Sequence, residues 1–364
     1  SNENGTMKDY SKAIYYFKKA SEQNNIYAHS NLGKIYLFGI GTKKDYSKAI
    51  FYFNLGAQQN NSDAFYYLGY MHFYGYGFEK NYINAKSMFE FASHLNNPLA
   101  MCYLAIIYYN GYGVKQDVLN VEKYLINASF YNCPIAFYLL GKLYTEGKGV
   151  PINYAEAIRC YELAAGLNDS NAMNELGYIF LDGRGGSKDY SRAKQYFERA
   201  AKQNNPEALR NLGCMYFYGY GVTQNYLESK KYFELSSKLK YPSAIVNLGI
   251  LYISGLGVKK DFAKAKEYFE QASTYNYPAS FFNLGNIYFN GIGVQINYLK
   301  SLEYYEKAAF LGDSNASLNI GNFYLHGHGV KINYQKAKEY FEKASELGYP
   351  EAYSKLGFIY GTGK

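Results

Sequence analysis

The sequence predicts an all-α protein, a right-handed superhelix (α-solenoid) of stacked antiparallel helix pairs with a 36-residue repeat. Three observations predict it. A glycine slot recurs every 36 residues at Gly33, Gly69, Gly141, Gly177, Gly213, Gly249, Gly285, Gly321 and Gly357, with Ala105 in the remaining copy and no insertion or deletion. A period of that length marks a helical repeat array. Within each copy, two apolar stripes at helical spacing are separated by a G-x-G turn.

The copy running from Pro242 to Ala272 shows each element. Helix A carries Ala244 five positions before Gly249 and Tyr252 three positions after it, so small and aromatic residues share one face. It stops at Gly255-Leu256-Gly257, where glycine takes the positive φ that a helix end requires. Asp261 begins helix B as its N-cap, and Asp45, Asn81, Asp117, Asn153, Asp189, Asn225, Asn297 and Asn333 fill the same slot. Helix B then sets Phe262, Ala265, Phe269 and Ala272 on its inner face, and Pro278 opens the next helix A. One pair cannot bury both stripes, so each pair must stack on its neighbours.

The run of alanine, N-L-G, tyrosine, G-x-G-V, D/N-Y, alanine and Y-F-x-x-A resembles the Sel-one-like repeat, a relative of the tetratricopeptide repeat. The resemblance covers essentially the whole chain. It implies an adaptor, with helix A lining the inner curve and partners that differ from member to member. Members include endoplasmic-reticulum quality-control adaptors, activators of chitin synthase and secreted or periplasmic bacterial proteins. A branch of the family carries a paired disulfide in each repeat, and that pattern is missing here.

On this reading residues 1–364 form a single array of nine full repeats, with a partial helix B at 1–24 and a partial helix A at 349–364. No capping repeat with a polar outer face is visible, so the chain reads as a fragment of a longer protein, and Ser1-Asn2 as a cloning remnant. The 46 tyrosines, with no tryptophan, look like compositional bias. Cys102, Cys133, Cys160 and Cys214 fall at unrelated positions of the repeat and read as reduced and buried. Five sequons, at Asn4, Asn60, Asn127, Asn168 and Asn315, are too few to place the protein in a secretory lumen, and the cytoplasm is favoured over the endoplasmic-reticulum lumen. No membrane span is visible.

Charge is uneven. Up to Asp182 there are 15 Lys and Arg against 15 Asp and Glu; from Gly183 onward there are 23 against 15. Most bases lie on helix B, while helix A is nearly neutral, which argues against nucleic acid on the inner surface. The G-x-G pairs follow a helix rather than a strand and lack a P-loop lysine, so they read as turns and not as phosphate cradles. The histidines look too scattered to build a site: His72 takes the tyrosine slot of helix A, and His326-Gly327-His328 sits on a turn without metal-ligand spacing. No cofactor, metal or nucleophile–base arrangement is expected.

What remains is the slot two positions before the glycine. It holds Asn31, then Tyr67, Tyr103, Leu139 and Glu175, and then Asn211, Asn247, Asn283 and Asn319 in consecutive copies. If helix A faces the inner curve, those amides form a ladder that offers donors and acceptors to an extended peptide. Phe282 and Leu318 would add apolar contact between rungs, Arg210 would take an acidic group, and Tyr66, Tyr67, Tyr103 and Tyr138 would be either sticky surface or core. In the third copy Ala105, Val118 and Val121 replace glycine, tyrosine and alanine, and the added methyls predict a change of curvature there. The expected function is a non-enzymatic scaffold binding protein or peptide segments. The alternatives are an adaptor in an endoplasmic-reticulum degradation complex and an enzyme with its site in the groove.

Overall fold

The computed structural model describes Asp9 to Thr362, so Ser1-Asn2, the sequon at Asn4 and the last two residues lie outside the described residues. Among the described residues every regular element is a helix. The helices form two compact units, one up to Ser187 and one from Lys188. The first contains α1 (Tyr10–Glu22), α2 (Ile26–Phe38), α3 (Tyr46–Gln58), α4 (Ser62–Tyr74), α5 (Tyr82–His94), α6 (Pro98–Asn110), α7 (Val118–Ser129), α8 (Pro134–Glu146), α9 (Tyr154–Gly166) and α10 (Ser170–Asp182). The second contains α11 (Tyr190–Ala201), α12 (Pro206–Tyr218), α13 (Tyr226–Lys238), α14 (Pro242–Ser254), α15 (Phe262–Ser273), α16 (Pro278–Asn290), α17 (Tyr298–Phe310), α18 (Ser314–His326), α19 (Tyr334–Glu346) and α20 (Pro350–Thr362). Even-numbered helices are helix A and odd-numbered ones helix B; within each unit the pairs stack as an α-solenoid.

The pair α14–α15 shows why the sequence folds this way. Pro242 occupies the first turn of α14, where its missing N–H costs nothing. Gly255 ends the helix at φ 72° with its N–H on the Leu251 carbonyl. Asp261 caps α15 by accepting from the Lys264 amide at 2.9 Å, and its own N–H donates to the Tyr252 carbonyl at 2.9 Å, tying the start of helix B to the body of helix A. The same backbone bond joins Asp45 to Tyr36, Asn153 to Tyr144 and Asn333 to Tyr324. Ala265, Phe269 and Ala272 are fully buried. Phe262, expected beside them, is instead 37% exposed, because its Cβ packs on the turn glycine Gly293 of the next copy rather than in the pair's interior. From helix B to the following helix A, the second turn places Asn60, Asn132, Asn204 and Asn276 at positive φ, a conformation asparagine tolerates better than other side chains.

The conserved step of the array is the crossing of helix A and helix B. A Cβ on Gly249 would stand 2.5 Å from the Phe269 ring, and on Gly33, Gly141, Gly213, Gly285 and Gly321 it would stand 2.3–2.6 Å from Phe53, Tyr161, Phe233, Tyr305 and Phe341. Each glycine is therefore the seat of one aromatic ring, and burying such a ring contributes about 1.5 to 3 kcal/mol. The third copy breaks this rule at both partners: Ala105 takes the glycine slot and Leu125 the ring slot, and both are buried. A smaller side chain thus answers the added methyl, a pairing that reading Ala105, Val118 and Val121 alone does not reveal. The tyrosines have structural employment as well. Tyr36 on Tyr52, Tyr252 on Tyr268 and Tyr288 on Tyr304 stack at 5.6–5.8 Å between centroids. His72, standing in that tyrosine slot, is half-buried and stacks on Phe78 at 3.9 Å, and burial holds its pKa down.

Candidate functional site

Neighbouring helices A leave a pocket at one register. Its walls are the residues one, four and five positions after the glycine of one helix A, those two before and one after the glycine of the next, and the ring slot of the intervening helix B. Between α12 and α14 the pocket is nearly closed, about 30 Å³, because Phe217 and Phe233 fill it beside Asn247. Between α6 and α8 it opens to about 270 Å³, where Leu125 leaves the space a ring takes elsewhere; Ala105, Ile106, Leu139 and Leu143 make it apolar, with Asn110 and Lys142 also in its wall. Between α16 and α18 it reaches about 420 Å³ and is polar, lined by Asn286, Asn290, Asn319, Asn322, His326 and Lys355 among others.

Between α2 and α4 and between α4 and α6, aromatic side chains occupy the corresponding place. Tyr67 stacks on Phe53 at 5.2 Å, with the Lys34 ammonium 5.2 Å from its ring centroid and bonded to Asp63 at 3.0 Å. Tyr103 stacks on Phe89 at 5.0 Å and shares a hydroxyl–hydroxyl bond with Tyr74 at 3.3 Å. Burial pushes the Tyr66 and Tyr103 phenols far up, with the bond to Tyr74 adding to the shift at Tyr103. Tyr66 is buried, and Tyr138, half-buried, packs on Tyr161 at 6.0 Å. Much of this aromatic set is therefore interior; Phe38 and Tyr74 are the exposed members at 44% and 45%.

The asparagine slot is unequal along its length. Asn211 is 2% exposed and accepts from Arg210 at 3.1 Å, so it is packed into the helix interface rather than offered as a rung. Asn247 donates to Cys214 Sγ at 3.9 Å across the A–A groove, and Asn283 donates to the Ala279 carbonyl of its own helix at 2.7 Å. Asn319 lies beside Tyr305 in the polar pocket. Asn31 is half-buried on α2. Leu318 is buried, and half-buried Phe282 leans on Tyr305 at 5.8 Å. The buried members Asn211, Leu318 and Tyr66 face neighbouring helices because their slots lie at the A–A crossing, which spacing along one helix does not distinguish from its exposed rim.

Two groupings are invisible in the linear sequence. His326 and His328 converge with Lys355 from α20 on one pocket. Cys102 and Cys133, 31 positions apart, bring their sulfurs to 3.9 Å, where the first copy has Ser30 donating to Asn61 at 2.8 Å. Their mutual hydrogen bond favours the Cys133 thiolate, down to about 6, and raises the Cys102 thiol. Among the described residues, no group of three or more His, Cys, Asp or Glu is placed to hold a metal ion, and no helix is long and apolar enough to cross a membrane.

A model of the Sel1 repeat matches residues 2–25, 26–61, 62–97, 98–120, 134–169, 170–205, 206–241, 242–274, 280–313 and 314–349. Among solved structures, the chain is similar to c5321, described as a protective antigen of uropathogenic Escherichia coli displaying an SLR fold. The two are 27% identical over 96% of this chain and 83% of that one, with a TM-score of 0.61. It is also similar to a Sel1 repeat protein of Oxalobacter formigenes, 27% identical over 84% of this chain and 90% of that one, with a TM-score of 0.60. Yeast Tom70 shares the fold at 14% identity over 97% of this chain and 85% of that one, with a TM-score of 0.52. No curated protein matches the chain.

Proposed function

The chain belongs to the Sel1 repeat family, and on that premise we propose that it is a non-enzymatic scaffold holding segments of partner proteins in the pockets between its helices A. The family's repeat commonly mediates protein–protein interaction, and its scaffold members are generally non-enzymatic. The observation that carries the proposal is the recurrence of one pocket at one register with three different linings: apolar at α6–α8, nearly closed at α12–α14 and polar at α16–α18. Repeating a frame while varying its lining is what discrimination between side chains requires.

In this reading the apolar pocket takes an apolar anchor of the partner, and the half-buried amides Asn247, Asn283 and Asn319 supply hydrogen bonds worth about 0.5 to 1.5 kcal/mol each. Asn31, Tyr67, Tyr103 and Tyr138 in the first unit, and Arg210 and Phe282 in the second, are further candidate contacts on their own helices A. The test begins with the partner purified on the wild-type chain from native cells. Its affinity is then compared with Leu125→Phe, which refills the apolar pocket from within, and with the pair Asn247→Ala and Asn283→Ala. Both variants are expected to weaken binding by tenfold or more. Full affinity in both would overturn the proposal.

A further inference from the structure

The polar pocket between α16 and α18 has a composition found in neither of the other two. Three basic side chains converge on it, His326 at the end of α18, His328 on the following turn and Lys355 from α20, and no carboxylate lines it. Lys355 has Glu351 one helical turn away on its own helix, 3.9 Å from its ammonium, too long for a strong pair. The histidine rings stand 5.8 Å apart. His328 is held edge-on to Phe289 at 5.4 Å and to Phe323 at 5.9 Å, so its position is fixed before any ligand arrives.

The amides around this cluster are mostly used internally. Asn286 accepts from the Tyr305 hydroxyl at 2.6 Å, and Asn290 donates to the Asn286 carbonyl at 3.0 Å. Asn322 differs: its Oδ1 is buried in the pocket wall with no hydrogen-bond partner. A buried acceptor left unmade costs about 1 to 3 kcal/mol, and a ligand that brings a donor recovers it once the half-buried Asn322 side chain turns its Oδ1 into the pocket.

We propose that this pocket binds a peptide segment bearing an acidic side chain, the carboxylate lying between His326, His328 and Lys355 and a main-chain N–H of the same segment donating to Asn322. This deepens the scaffold reading and rests on it. The pocket brings an ammonium, two imidazoles and an orphan acceptor together, and a peptide answers all of them, whereas inorganic phosphate or acetate answers chiefly the nitrogen groups. Charge complementarity agrees, since the excess of basic residues lies from Gly183 onward.

Burial, followed by the nearby charges of His328 and Lys355, lowers the His326 pKa. The charged groups facing it are His328 on the turn and Lys355 on α20; α17 adds the Tyr305 phenol, and α16 adds only amides and Phe289. A bound carboxylate favours the imidazolium, so affinity rises as pH falls from about 7.5 to 5.5, until the ligand carboxylate itself protonates near about 4.3.

The probe is a fluorescein-labelled, end-blocked hexapeptide of alternating Gly and Glu, titrated by fluorescence anisotropy against the whole chain and compared with its Gln counterpart. The Glu peptide is expected to bind at least tenfold tighter than the Gln peptide, and at least threefold tighter at pH 5.5 than at 7.5. It should lose tenfold or more in affinity in the double variant His326→Ala and Lys355→Ala. Asn322→Asp, nearly isosteric, places a negative charge at the acceptor and should also abolish binding with the circular dichroism spectrum unchanged. Equal binding of Glu and Gln peptides, or unaltered affinity in both variants, overturns the assignment. So does complete displacement by inorganic phosphate at the peptide's own concentration. If the native partner is still captured and is weakened by Leu125→Phe or by Asn247→Ala with Asn283→Ala, only this pocket's assignment falls; if both keep full affinity, the scaffold reading falls with it.

Discussion

Replacing Gly249 by alanine puts a methyl 2.5 Å from Phe269 Cε1, 2.8 Å from Cζ and 2.9 Å from Cδ1, distances at which one partner must move. Phe269 is fully buried, so its ring has nowhere to go. Overpacking of this kind costs about 1 to 3 kcal/mol, while the helix gains about 1 kcal/mol from exchanging glycine for alanine. A net loss of about 1 kcal/mol is therefore expected. Phe269→Leu alone leaves a void and should cost about 1 to 2 kcal/mol, below the range of about 3 to 5 kcal/mol for truncating phenylalanine to alanine. Together the two changes reproduce the natural pair Ala105 and Leu125. The leucine removes the clash and the new methyl fills part of the void, so the double variant should be more stable than the sum of the single losses by about 1 to 2 kcal/mol. Urea melts followed by circular dichroism, with unchanged slopes, measure the cycle. Additivity within about 0.5 kcal/mol would refute the claim that glycine and ring form one packing unit.

Asp261→Ala removes the side chain that accepts from the Lys264 amide and should cost about 1 kcal/mol in the same melts; no change would show the cap to be dispensable. Burial raises the phenol of Tyr305 to about 12, with hydrogen bonds from Ser301 and Asn319 opposing it, and pushes Tyr66 and Tyr161 further up. Because the unfolded chain gives up these protons near its ordinary value of about 10, the stability they contribute is intact below that pH. It is lost as pH climbs through the folded values, so the melting temperature should fall steadily from pH 10 to 12, and a flat profile would contradict the burial of these rings. Truncation after Gly312 removes α18, α19 and α20 and should reduce the helical signal in proportion to the residues lost, whereas collapse to coil would contradict nearest-neighbour stabilisation.

The helix pairs were legible because their signals are local. Caps such as Asp45 and Asn225, turn glycines such as Gly255, and the alanine stripe each act within a few residues, and the structure places them as the spacing predicts. The pocket linings were legible only in part. The slot two before the glycine was identifiable, yet whether its occupant is buried depends on the neighbouring copy: Asn211 is enclosed beside Arg210, while Asn247 spans the groove to Cys214. Leu125 could have been found by aligning the copies at the ring slot, since aromatic residues fill it in the others. The meeting of His326 and His328 with Lys355 has no such signal, because a turn and a helix from successive copies contribute to it.

The most direct test of partner binding between helices A is site-specific photocrosslinking. Benzoylphenylalanine placed at Ile106 or Phe289, both in the walls of A–A pockets, should crosslink the purified partner. The same group placed at Phe51 or Leu299, exposed on helix B at 57% and 64%, should not. Crosslinks from the helix B positions alone would contradict the account.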